Sequence, residues 1–191
     1  RSFHVTGVQT CALPISGNGT VSAKKMRFEE LDLAGATETD MLKVRGSRIG
    51  MILQDPKFSL DPVMRVGDQV SEALPPGLGR SEARDRVLAM LEAVKIRNPE
   101  RVYNLYPHEC SGGMGQRIMI AMMLVPEPKL LIADEPTSAL DVTVRMQVLA
   151  ILDDLVSRRG LGLMFISHDL NLVATFCDRV LIMYDGRIVE E

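Results

Sequence analysis

Three observations predict an α/β protein, a mostly parallel sheet interrupted by an inserted block of helices. Short apolar runs bounded by turn residues at 48–53, 129–133, 161–166 and 179–183 read as buried strands. Helical stretches lie between the later runs, as parallel neighbours require. Between the first two runs the chain holds a whole series of helical segments rather than one crossover helix.

In chain order, the strand at 48–53 ends at Gln54-Asp55-Pro56, where proline stops it. Helical patterning follows at 66–74, and Pro75-Pro76-Gly77 breaks it. A second helix is expected over 81–94 with Ser81 as its N-cap, and Val87, Leu88, Leu91 and Val94 form its packing stripe. Asn98 is the expected cap of a short helix with Pro99 in its first turn, and another helix starts at Ser111. Helices at 142–159 and 169–176 then connect the later strands.

The chain has 191 residues, 46% hydrophobic and 25% charged, enough for one sizeable core with a small subdomain. A formal net charge of −3 gives no basic field, which argues against nucleic acid as a partner. Three cysteines do not suggest a disulfide framework, so a reducing compartment fits. Cys110 and Cys177 lack ligand-like spacing and read as small packed side chains. No apolar run approaches the roughly 18 residues that cross a bilayer.

Chemistry concentrates between Ser111 and Asp141. Ser111-Gly112-Gly113-Met114-Gly115-Gln116 opens a helix whose free N–H groups and positive dipole end suit a phosphate. The run Leu130-Leu131-Ile132-Ala133 ends in Asp134-Glu135, so a buried strand delivers two carboxylates to the sheet's carboxyl edge, where open α/β folds bind ligands. Ser138-Ala139-Leu140-Asp141 follows at once. Each element alone is as well explained by a cap, a turn or a loop; their order makes ATP hydrolysis the better reading.

These residues resemble the ATP-binding subunits of ABC transporters over nearly the whole stretch from Gly17 to Glu191. The resemblance includes a glutamine loop at Gln54-Asp55-Pro56, a signature at Cys110 to Met114 and a Walker B strand ending Asp134-Glu135-Pro136. It extends to a D-loop from Ser138 to Asp141 and a switch histidine in Ile166-Ser167-His168-Asp169. Together with Ser59-Leu60-Asp61-Pro62, the pattern is most similar to importers of dipeptides, oligopeptides and nickel. The implied fold is a RecA-like P-loop NTPase core with an inserted helical subdomain, lacking its P-loop strand. The expected division is a non-native leader at 1–16, core at 17–56, helical subdomain with the signature at 57–125 and core again at 126–191.

The resemblance implies ATP and Mg2+ as cofactors. Glu135 is expected to polarise the attacking water, His168 to sense the γ-phosphate, and Gln54 to reach metal or water. Asp134 and Gln54 are the expected metal-side residues. Ser111, Gly112, Gly113, Gln116 and Asp141 are expected on the nucleotide side, the first three completing a partner's site in a head-to-tail dimer. A homologous or identical ATP-binding subunit, transmembrane permease subunits and, indirectly, a solute-binding protein are the implied partners, at the cytoplasmic face of a bacterial inner membrane. Two departures from the family pattern are Cys110, where leucine is common, and Gly115, often arginine; a glycine there costs the helix about 1 kcal/mol.

No G-x-x-x-x-G-K-[ST] string exists to cradle phosphates with backbone N–H groups and a lysine. Gly17-Asn18-Gly19-Thr20 reads as a turn, and Val5 to Ser16 resembles a translated sequencing adapter, set outside the fold. A gene fragment without wild-type turnover is the expectation. Two other classes compete: a soluble ABC-type ATPase of DNA repair or chromosome structure, and a non-catalytic nucleotide-binding module. The short interval between Gln54 and Ser111, without sustained heptads, counts against the first. The missing lysine motif is what suggests the second.

Overall fold

The computed structural model describes residues 2–6 by their backbone, and residues 23–54, 59–138 and 140–191 in full. The strands are β1 (Ser2–Thr6), β2 (Arg27–Phe28), β3 (Leu31–Asp32), β4 (Ile49–Ile52), β5 (Leu130–Asp134), β6 (Gly162–Ile166), β7 (Val180–Tyr184) and β8 (Arg187–Glu190). The helices are α1 (Glu38–Leu42), α2 (Val66–Glu72), α3 (Arg80–Ala93), α4 (Pro99–Tyr103), α5 (Gly112–Leu124), α6 (Val142–Arg159) and α7 (Leu170–Phe176), with a 3-10 turn at Pro107–Glu109.

Six strands form one sheet in the order β4-β5-β6-β1-β7-β8, parallel except for the β7–β8 pair. Parallel pairing places the carboxyl ends of β4, β5 and β6 at one edge, with Ile52 opposite Ala133 and Asp134 opposite Ile166. Side chains alternate across the sheet. Leu131, Ala133, Leu163 and Phe165 are fully buried on one face. They join one hydrophobic cluster with Val87 and Leu91 of α3, Ile118 and Leu124 of α5 and Leu152 of α6. The inserted helices therefore share a core with the sheet. Ring packing of Phe165 on Phe176, 5.2 Å between centroids, seats α7 on β6.

Several sequence expectations need correction. Residues 2–6, assigned to a leader outside the fold, run as a parallel strand between β6 and β7. The rest of that segment, and the turn expected at Gly17-Asn18-Gly19-Thr20, lie outside the described residues. Ser81 does not cap α3; the helix begins one residue earlier behind Gly79, with no side-chain cap bond. Asn98 occupies the cap position of α4, but in left-handed geometry (φ 53°) and without a cap bond. Gln69, buried at the start of the helical block, accepts from the Asp61 N–H and donates to the Asp61 and Met64 carbonyls, fixing the loop that enters α2.

Candidate functional site

The parallel register carries Gln54, just past β4, to the same edge as Glu135, just past β5, and His168, just past β6. Their side chains meet there. Glu135 Oε1 lies 2.8 Å from His168 Nδ1, and Glu135 Oε2 accepts from Gln54 Nε2 at 3.1 Å. One carboxylate is thus gripped from both sides by groups that are 81 and 33 residues away in sequence.

Backbone geometry explains how Glu135 reaches them. Its φ of 44° is left-handed, a conformation a residue with a Cβ adopts only when its surroundings over-determine it. The Glu135 N–H donates to the Ile166 carbonyl at 2.9 Å, and its own carbonyl accepts from Ser138 Oγ at 3.1 Å. The turn after β5 is therefore pinned both to β6 and to the following loop. His168 is held in its turn: the Asp169 N–H donates to Ser167 Oγ, and Asp169 Oδ1 accepts from the Leu172 N–H to cap α7.

Asp134 ends β5 one residue earlier, half-buried. Burial first, and the charge of Glu135 second, push its carboxyl above the ordinary carboxylate range. A cation at this edge would relieve both effects. Among the described residues no group of three or more His, Cys, Asp or Glu stands ready to enclose a metal. Magnesium does not need one, because it keeps waters and takes substrate phosphate oxygens beside one or two carboxylates. The Asp134 carboxylate at the end of β5 fits that requirement; the lysine-bearing phosphate cradle has no counterpart in the sequence.

At the tip of α5, Ser111 is the N-cap, its Oγ accepting from the Met114 N–H at 3.3 Å. Gly112 is exposed with open space where a Cβ would sit. Gly113 is different: a Cβ there would come within 2.6 Å of Val144 Cγ1, so only glycine lets α6 approach. Arg117 donates to the Gly113 carbonyl at 3.1 Å and to the Lys95 carbonyl at 2.9 Å, fastening the tip to the end of α3. Gln116, grouped from sequence with the nucleotide-facing residues, is buried and donates its amide to the Pro136 carbonyl at 2.6 Å. It ties α5 to the turn carrying Glu135, and this corrects the assignment. Asp141 caps α6, accepting from the Thr143 and Val144 N–H groups. Asp55, Pro56 and Ala139 lie outside the described residues. Sequence reading placed Ser138 in the D-loop without its bond to the Glu135 carbonyl, and it missed Arg145, whose guanidinium pairs with Asp169 at 3.7 Å.

Residues 10–138 match the family described as ABC transporter. The oligopeptide transport ATP-binding protein OppD of Bacillus subtilis is 50% identical over 165 residues, 85% of this chain and 46% of that protein. Among solved structures, cbiO1 of Clostridium perfringens, part of the ABC transporter complex cbiONQ, superposes with a TM-score of 0.81 at 28% identity, covering 99% of this chain and 75% of that one. The ATP-binding cassette MJ0796, in a dimeric post-hydrolysis state bound to ADP and Pi, gives 0.74 at 27% identity, over 85% and 70%. The chain spans about half the length of the curated relatives it matches. On the family match and on identity of this extent, the chain belongs to the ABC transporter family.

Proposed function

We propose that this chain is the ATP-binding and ATP-hydrolysing part of an ABC importer that energises uptake of peptides or a related small solute. The observation that carries the reading is the carboxylate of Glu135 held between Gln54 and His168 at the carboxyl edge of the sheet. Nearby, similarity to OppD supports the peptide class. Among the described residues no helix is long and apolar enough to cross a membrane, so permease subunits would supply the membrane path.

In this reading Glu135 orients water and accepts its proton, since phosphoryl transfer depends on positioning and charge stabilisation. Gln54 and His168 hold that carboxylate in place, and His168 keeps a second ring nitrogen for a phosphate oxygen. Asp134, with Gln54, would hold Mg2+, which supplies charge neutralisation at the phosphates when bound. Gly112 and the N–H groups at the α5 tip face a partner subunit's nucleotide, Asp141 sits at the same junction, and the dimeric neighbour supports such pairing. Binding that prefers the closed pair, and hydrolysis that removes the preference, would drive the permease.

The chain lacks the phosphate-cradling lysine motif, so the test restores one. Replacing residues 7–22, which follow β1, by a segment bearing G-x-x-x-x-G-K-[ST] should yield Mg2+-dependent ATPase activity that Glu135→Gln lowers by orders of magnitude. Activity that survives this substitution undiminished would overturn the reading, and so would failure of the restored protein to bind ATP.

A further inference from the structure

Two regions with separate roles in the proposed function meet at one ion pair. Val144 and Arg145 are consecutive residues in the first turns of α6. Val144 lies against Gly113 at the α5 tip, close enough to forbid a Cβ there. Arg145 sends Nη1 to within 3.7 Å of Asp169 Oδ2. Asp169 directly follows His168, and further bonds already fix it: Oδ1 accepts from the Leu172 N–H, its carbonyl from the Val173 N–H, and its own N–H donates to Ser167 Oγ, each at 3.1 Å. Arg145 Nε is buried with no hydrogen-bond partner among the described residues. A polar atom left so needs a reason, and a part-exposed ion pair contributes too little stability to be one.

We propose that Arg145 is a positioning residue whose pair with Asp169 ties the α6 turn packed on Gly113 to the loop that holds His168 against Glu135. A displacement of the α5 tip, as a partner subunit would impose, then reaches His168 through two adjacent residues of α6. The Asp141 cap stiffens this link, because the Asp141 carbonyl also accepts from the Arg145 N–H at 2.9 Å and its side chain caps the same turn. The significance of the link for turnover rests on the function proposed above, but the link itself is measurable without nucleotide.

The test uses the full 191-residue chain, with Arg145→Ala, Arg145→Lys, Asp169→Asn and the Arg145→Ala/Asp169→Asn pair. Asparagine keeps an oxygen to cap α7 while removing the charge. Ring nitrogen and carbon NMR resonances of His168 and amide exchange over residues 168–172 are followed. Arg145→Ala and Asp169→Asn should each move the His168 ring resonances in the same sense and speed exchange at 168–172 roughly two- to fivefold. The double variant should add nothing further, Arg145→Lys should restore the parent spectrum, and β6 core amides should not change. His168 resonances unmoved by either single variant, or fully additive effects in the double, would overturn the proposal. Loss of ATPase activity in Glu135→Gln bears only on the functional reading, so the two failures are distinguishable.

Discussion

Glu135 and His168 touch at 2.8 Å although 33 residues separate them, because β5 and β6 run parallel and in register and both residues lie just beyond their carboxyl ends. The contact has a consequence for mutagenesis. Replacing Glu135 by glutamine keeps the shape and the Gln54 neighbour but removes the proton acceptor. In the protein restored with a lysine-bearing loop, ATP turnover should fall by roughly 10²–10⁴-fold while nucleotide binding persists. Steady-state phosphate release and a filter-binding assay check the split; equal loss of both would show that Glu135 serves binding instead.

Asp134 should weaken the folded state at neutral pH. Its carboxyl is raised above the ordinary value of 3.8, by burial and then by Glu135, so folding favours the protonated form. That contribution is fully present below the ordinary carboxylate value and is lost as pH rises through the raised one. Asp134→Asn imitates the protonated group permanently. The variant should therefore melt at a higher temperature than the parent at pH 7, with the gap closing as pH falls into the carboxylate range. Calorimetry at several pH values decides it, and a lower melting temperature at pH 7 would refute the argument.

What was legible in the sequence follows from what local chemistry dictates. The ends of α6 were readable because Asp141 caps it and Gly160, at φ 62°, closes it in the left-handed geometry glycine permits. The delivery of Asp134 and Glu135 to the sheet's edge followed from an apolar run ending in two acids, whereas Gln54 and His168 were expected there from the family resemblance. The positive φ of Glu135 had no sequence signal, since a tertiary lattice of bonds from Ile166 and Ser138 imposes it. Gln116 was misassigned because spacing along a helix tip cannot say which face the next element will cover. The β7–β8 hairpin was overlooked despite a clear signal: Asp185-Gly186, at φ 47° and 71°, is the two-residue turn whose paired positive φ angles suit a tight hairpin.

Both thiols in the described residues should be slow to react. Burial, and secondarily Asp178, push Cys177 up to about 11; burial, then Glu109, raises Cys110. Thiolate is the reactive form, so Cys177 should carry about a hundredfold less of it at pH 8 than an unperturbed thiol. Alkylation followed by peptide mass mapping, in buffer and in urea, should show protection of both in the folded chain, greater for Cys177. Equal labelling rates in the two conditions would contradict the packing around α7.

Gly67 should tolerate no side chain. A Cβ there would lie 2.3 Å from the Tyr103 ring, and Tyr103 is itself covered by the Arg84 guanidinium at 4.6 Å. The ring has little room to yield, so Gly67→Ala should cost about 1–3 kcal/mol. Urea unfolding measures this, and the double variant Gly67→Ala/Tyr103→Ala should be destabilised by less than the sum of the singles, because it removes the clash.

Gly112 and Gly113 stand side by side in the signature yet should fail for different reasons. At Gly113 an added methyl meets Val144 Cγ1 at 2.6 Å, and valine in a helix has little rotamer freedom to move aside. Gly113→Ala should therefore destabilise the isolated chain by about 1–3 kcal/mol. At Gly112 nothing lies within 4 Å of the added carbon, and alanine is the better helix former, so Gly112→Ala should fold at least as stably as the parent. If the α5 tip faces a partner's nucleotide, that same open space is where the ligand comes, and Gly112→Ala should impair ATP-dependent pairing of the restored protein while leaving its unfolding curve intact. Sedimentation with the Glu135→Gln background, where hydrolysis cannot dissolve the pair, separates the two effects. Unimpaired pairing in Gly112→Ala would mean that the glycine is there for some purpose other than close approach of a phosphate.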